Sequence, residues 1–147
     1  MRSLTYSFDD VSLRFISTLT GISDYNGEGL GTISIKSLTA PTKLLGSADG
    51  QTMTLRQPGS RTEVVITTPQ VSSLATKLLN NYELLSKASS AVWNSNQIWL
   101  RHKTTKMEVV LTFVSYKNPP DLVFTSRGQV MEFTFVAEAM NVVCLTL

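Results

Sequence analysis

One segment, Thr68-Pro69-Gln70-Val71-Ser72-Ser73-Leu74-Ala75-Thr76-Lys77-Leu78-Leu79-Asn80-Asn81-Tyr82, has helical periodicity in a sequence whose other apolar residues alternate as strands do. Val71, Leu74, Ala75, Leu78, Leu79, Tyr82 and Leu85 recur at spacings that place them on one helical face. Thr68 suits the N-cap, and Pro69 suits the first helical position, where a missing N–H leaves no bond unmade. The pattern predicts a mainly β protein with one α-helix over residues 69–87, packed by one face on a sheet and set between two strand-rich halves.

The chain has 147 residues, which predicts one domain over 1–147 with a core of its own. Charged residues make up 16%, below the usual quarter or so. Serine and threonine take their place, which suits a surface partly used for neutral contacts. A net charge of +2 with scattered Lys and Arg gives no electrostatic footprint for tight nucleic-acid binding. Cys144 is the single cysteine, so an intrachain disulfide is excluded and a buried, inert thiol in a reducing compartment is expected. The first ten residues hold no apolar core of signal-peptide length. The runs Val109-Val110-Leu111 and Val142-Val143-Cys144-Leu145 fall far short of the roughly 20 residues that span a bilayer, so a soluble protein without membrane insertion is expected.

Strands follow from period two. Val11, Leu13 and Phe15 alternate with Ser12 and Arg14, and Ile33 and Ile35 alternate with Thr32, Ser34 and Lys36. Between them, Asp24-Tyr25-Asn26-Gly27-Glu28-Gly29-Leu30-Gly31 reads as a glycine-rich loop. It lacks the Lys-Ser/Thr pair of a P-loop and leads into a strand, so it is not read as a nucleotide site. Residues 39–50, with Pro41, Gly46 and the turn Asp49-Gly50, read as a long loop whose Leu44 and Leu45 are candidates for contact with another chain. Residues 51–57 and 61–67 alternate on either side of Pro58-Gly59-Ser60 and predict a hairpin. After the helix, 98–103 and 107–116 form a second predicted hairpin, Pro119-Pro120 breaks the sheet, and 130–138 is a strand with Met131, Phe133, Phe135 and Ala137 on one face.

No arrangement of reactive groups points to catalysis. His102 is the single histidine and lies between Arg101 and Lys103, and nothing in the sequence brings it to Cys144. Glu132 and Glu138 share a strand face at about 20 Å, too far for paired acid–base work. No metal-ligand spacing and no cofactor motif occurs. Tyr82, Trp93 and Trp99 lack the adjacent basic residues of a stacking platform and read as core or interface.

Several strings, in this order, resemble the tail tube proteins of contractile-tailed bacteriophages. They are Tyr6-Ser7-Phe8-Asp9-Asp10-Val11, Gly27-Glu28-Gly29-Leu30-Gly31, Ala48-Asp49-Gly50, Thr68-Pro69 before a helix ending in Asn81-Tyr82, then Trp93, Phe113 before Pro119-Pro120, Gly128, and Phe133-Thr134-Phe135. The family often has a tryptophan in the final strand, where this chain has Glu132 or Phe133, and a Thr-Ser-Pro where it has Thr67-Thr68-Pro69. The resemblance implies a β-barrel or β-sandwich flanked by the helix, and a structural virion protein rather than an enzyme. It further implies hexameric rings stacked into an inner tail tube whose lumen conducts DNA. The implied partners are other copies of the chain, the tail sheath, the baseplate and neck or terminator proteins, and the tape measure protein and DNA passing through the lumen. The setting would be the virion, assembled in the host cytoplasm. Leu44, Leu45, Asp49, Gly50, Pro58, Gly59 and Ser60 are the candidate inter-subunit contacts. A tube initiator or terminator, a tube subunit like that of type VI secretion, and a monomeric β-sandwich binding module are the alternatives.

Overall fold

The computed structural model describes residues 11–26, 31–38, 42–46, 48–56, 61–103, 106–120, 122, 126 and 130–144. The first half of the chain forms β1 (Val11–Ser17), β2 (Gly21–Asn26), β3 (Thr32–Ser37), β4 (Thr42–Gly46), β5 (Thr52–Arg56) and β6 (Thr62–Pro69), with burial alternating most regularly along β6. The helix α1 (Ser73–Lys87) follows, and β7 (Asn96–His102), β8 (Met107–Tyr116) and β9 (Val130–Cys144) complete the chain order. Seven strands form one antiparallel sheet in the order β2-β1-β7-β8-β9-β6-β3, and β4 and β5 form a separate two-stranded ribbon.

The two edges of the large sheet are consecutive in sequence. Asn26 shares a lateral row with Ser12, Arg101, Glu108 and Val143, whereas Thr32 shares one with Thr67 and Glu132, toward the other end of β9. On a flat sheet those two ends would stand about 45 Å apart. The five residues between them, 27–31, reach no more than about 20 Å. The sheet is therefore rolled with tilted, staggered strands, the geometry that closes barrels. Side chains report the same curvature: the rings of Phe15 on β1 and Phe135 on β9 lie 5.8 Å apart, although two strands separate them in the sheet. Among the described residues no ladder joins β2 to β3, so the expected barrel is a rolled sheet with an open seam.

The concave face holds the core. Leu13, Phe15, Val64, Ile66, Ile98, Leu111, Val114, Phe133, Phe135 and Ala137 are buried there, each at the inward position of its strand. Against them α1 places Leu74, Ala75, Leu78 and Leu85; each leucine contributes about 2 kcal/mol by leaving water.

The helix begins later than the Thr-Pro signal predicts. Pro69 ends β6, and the N-cap is Ser72, whose Oγ accepts from Ala75 N at 3.2 Å. Thr68 is buried at an inward position of β6, and its hydroxyl shares a 2.7 Å hydrogen bond with that of Ser72. A residue committed to the ladder with Met131 cannot also open a helix. Val71, assigned by periodicity to the apolar face, lies in the turn before α1 and is 93% exposed.

Three other expectations change. Residues 39–50 are not a loop throughout, because Thr42–Gly46 pairs with Thr52–Arg56 as β4. β2 forms where a turn and the start of a glycine loop were expected, because a strand at a sheet edge tolerates Asp24 and Asn26. The predicted hairpin of 51–57 with 61–67 does not form: β5 pairs with β4, and β6 pairs with β3 and β9. The strands expected from 11, 32, 98, 107 and 130 onward are present, whereas of Leu122-Val123-Phe124, read as a short strand or edge, residues 123–124 lie outside the described residues; β9 runs on to Cys144, with its first half on β6 and its second on β8.

One buried polar cluster ties the helix to the sheet. Asn81 interrupts the leucine stripe of α1, and its Oδ1 accepts from Ser17 Oγ at 2.7 Å and Thr20 Oγ1 at 3.2 Å. Its Nδ2 donates to the Tyr116 hydroxyl at 3.1 Å, which donates to the Leu78 carbonyl at 2.7 Å. One amide proton of Asn81 and the hydroxyl proton of Tyr116 are thus directed, which fixes helix position more narrowly than apolar packing does.

Burial pushes the Tyr116 hydroxyl far above the ordinary phenol range, with the bond from Asn81 a smaller opposing influence. The unfolded chain ionises tyrosine near pH 10. Because the folded value is raised, the stabilising contribution is intact below about pH 10 and is lost as pH rises toward the folded value. Urea unfolding should therefore show stability falling above about pH 10, and Tyr116→Phe should flatten that fall while costing about 1–2 kcal/mol at neutral pH. Gly31 gives a second test. A Cβ there would collide with the Thr67 carbonyl across the β3–β6 edge, so Gly31→Ala should destabilise by about 1–3 kcal/mol in the same assay.

Candidate functional site

β3 runs against β6 from Thr32 opposite Thr67 to Ser37 opposite Thr62, and Leu38 N donates to the Arg61 carbonyl at 2.9 Å. The same two segments then pair again, from Thr42 opposite Arg56 to Gly46 opposite Thr52. Three residues, 39–41, separate the ladders on one side and four, 57–60, on the other. The β4–β5 ribbon is thus an arm carried by the β3–β6 edge of the sheet.

Its tip is Ala48-Asp49-Gly50. Asp49 Oδ1 accepts from Gln51 N at 3.3 Å, and Gly50 has φ of 86°, the left-handed conformation that glycine supplies without strain. Every residue of β4 and β5 is exposed. Leu45 lies opposite Met53 and Lys43 opposite Leu55, so one face carries three apolar side chains and one cation. Leu44 lies on the other face, opposite Thr54, and is 66% exposed. A two-stranded ribbon with no face buried is marginal in water.

Of the residues picked out in the sequence, Leu44, Leu45, Asp49 and Gly50 are brought together on this arm. Pro58, Gly59 and Ser60 lie outside the described residues. Met53 and Leu55 complete the arm's apolar face and were missed, because 51–57 was assigned to a different hairpin. The signal was present in the alternation of Met53 and Leu55 and in the strong turn at Asp49-Gly50.

His102 and Cys144 fall in one lateral row of the sheet, but Met107 of β8 lies between them, which sets their backbones about 10 Å apart. Among the described residues no group of three His, Cys, Asp or Glu could hold a metal ion, and no helix is long and apolar enough to cross a membrane. Tyr82 and Trp93 pack inward with Tyr116, at ring separations of 5.2 Å for Tyr82–Tyr116 and 6.4 Å for Trp93–Tyr116. Trp99 is on the opposite, convex face, so the three aromatics form no common platform.

A rolled antiparallel sheet of seven strands over one helix, with an exposed two-stranded arm, defines the class of fold. Solved structures share the fold. A chain titled as the extended-state sheath/tube terminator of the PVC extracellular contractile injection system superposes with a TM-score of 0.67 at 9% identity, covering 96% of this chain and 98% of that one. A chain of the extended PVC sheath-tube complex gives 0.64 at 8% identity, with 96% and 93% covered. The tube-terminating cap of the anti-feeding prophage gives 0.63 at 7% identity, with 99% and 96% covered. No curated protein sequence matches the chain. The family model described as Bacteriophage PhiTE tail tube protein matches residues 3–144. The chain belongs to that family: it is a structural tail component and not an enzyme.

Proposed function

We propose that this chain, as a single domain over residues 1–147, is the repeating subunit of the inner tube of a contractile tail. Six copies close a ring, rings stack, and the lumen conducts DNA at ejection. The sheath surrounds the tube, baseplate and terminator proteins bound its ends, the tape measure protein and then DNA occupy the lumen, and assembly takes place in the host cytoplasm. The β4–β5 arm carries this reading. An apolar ribbon that is marginal alone is stabilised when a neighbouring subunit covers it, and the open edges of β2 and β3 are satisfied by the same means. Leu44, Leu45, Asp49 and Gly50 serve as inter-subunit contacts, and Pro58, Gly59 and Ser60 are assigned to the same role. The near-neutral charge suits a conduit that does not hold phosphates.

A tube terminator or initiator is the second reading, favoured by the likeness to the cap and terminator chains; polymerisation separates the two. Negative-stain electron microscopy of concentrated protein should show rings or hollow tubes of constant width. Leu44→Asp and Leu45→Asp should abolish them while changing unfolding free energy by less than about 0.5 kcal/mol, since both side chains are exposed. Capped single rings that never extend would assign the chain to a terminator, and a monomer at every concentration would contradict the tube reading.

A further inference from the structure

Glycine follows an Asn or Asp at two places in the chain, Asn26-Gly27 and Asp49-Gly50. In such a pair the glycine nitrogen can close on the carbonyl carbon of the preceding side chain, because no Cβ hinders the approach. The fold decides whether the backbone is free to bring the two atoms together, and it treats the two places differently. Asn26 is the last residue of β2 and stands in the ladder opposite Ser12, which holds its backbone extended. Asp49 takes part in no ladder among the described residues: the β4–β5 pairing ends at Gly46 opposite Thr52.

Three observations converge at Asp49. Its carboxyl is folded forward along the chain, since Oδ1 accepts from Gln51 N at 3.3 Å; the ring of atoms in such a turn encloses the Gly50 amide and keeps Cγ beside that nitrogen. Gly50 has φ of 86°, and a Cβ built on it would meet nothing within 4 Å, so a ring has open space in which to close. Ala48, Asp49, Gly50 and Gln51 are all exposed. The ribbon that carries them has no face buried, which makes it marginal in water and free to sample the backbone rotation that closure needs.

We infer that Asp49-Gly50 is a site of spontaneous isoaspartate formation, where the protein ages chemically while it is soluble. The reaction is intramolecular. With the Asp49 carboxyl in its acid form, Gly50 N attacks Cγ, the N–Cγ bond forms, and the amide proton leaves with the carboxyl hydroxyl as water, closing a succinimide ring. Water then adds back at either ring carbonyl. Addition at Cγ breaks the new bond and restores aspartate. Addition at the Asp49 main-chain carbonyl breaks the original peptide bond instead, so the chain now runs through Cβ and Cγ and the carboxylate sits on Cα. One water leaves and one returns, so mass is unchanged and no oxidant, metal or second protein is required. The product carries an extra main-chain carbon at the tip of the arm and loses the hydrogen bond from Gln51 N to Oδ1. This inference stands apart from the tube reading.

The test is incubation of the purified, folded protein at physiological temperature for several weeks, beside the same chain held unfolded in guanidinium chloride, followed by tryptic mapping. Peptide 44–56 should split into two species of equal mass and different retention. The newer one should give isoaspartate fragments on electron-transfer dissociation and accept a methyl group from labelled S-adenosylmethionine through protein isoaspartyl methyltransferase. It should form at least as fast in the folded protein as in the unfolded chain. Peptide 15–36, which holds Asn26, gains mass when its amide is lost as ammonia, and that gain should be severalfold slower in the folded protein. Asp49→Asn keeps the acceptor of the turn and offers ammonia as leaving group, so peptide 44–56 of this variant should convert severalfold faster than that of the unaltered chain. Conversion of 44–56 that is absent, or slower folded than unfolded, would overturn the site, and an unchanged rate in Asp49→Asn would overturn ring closure at Cγ as its chemistry.

Discussion

A connection of five residues cannot cross a flat seven-stranded sheet, yet residues 27–31 join the strands at its two opposite edges. Rolling the sheet is the solution, and the other features depend on it. Rolling brings Phe15 against Phe135 and creates a concave side for α1. It also staggers β9 so that β6 pairs with its first half and β8 with its second. The open seam leaves β2 and β3 as edges, and the arm grows from the β3–β6 side of that seam.

Within this frame, apolar burial supplies most of the stability and hydrogen bonding supplies the position. The stripe Leu74, Leu78, Leu85 would pack on the sheet at more than one height. Asn81, joined to Ser17, Thr20 and Tyr116, selects one. Removing Tyr116 takes from Asn81 Nδ2 its hydrogen-bond partner in the cluster, which is why a small cluster outweighs its hydrogen-bond count. The molecule is thus firmly specified around its helix and weakly held at its arm.

Much of this was legible in the sequence. Period-two alternation identified β1, β3, β6, β8 and β9 and the inward set Met131, Phe133, Phe135, Ala137, because these strands bury one face and expose the other. The helix was visible from its leucine spacing. Its start was not, because Thr68-Pro69 and Ser72 are competing caps and only tertiary pairing commits Thr68 to β6. β2 escaped because Gly21, Asp24 and Asn26 have turn chemistry. The arm was half legible. Leu44 and Leu45 stood out as exposed apolar residues, but two turns, Asp49-Gly50 and Pro58-Gly59-Ser60, competed to pair with the segment 51–57, and local sequence does not rank them. The bulge in β8, where Phe113 has φ of 53°, left no sequence signal, since it arises from a register mismatch between β7 and β8.

The most direct test of a tube subunit whose arm is completed by its neighbours is hydrogen–deuterium exchange on the soluble and the assembled protein, followed peptide by peptide. Amides of 42–56 should exchange within seconds in the soluble chain and become protected by orders of magnitude on assembly, while those of α1, β6 and β9 are protected in both states. An arm that exchanges equally fast in the assembled particle, or is already fully protected in the monomer, would contradict the central role given to it.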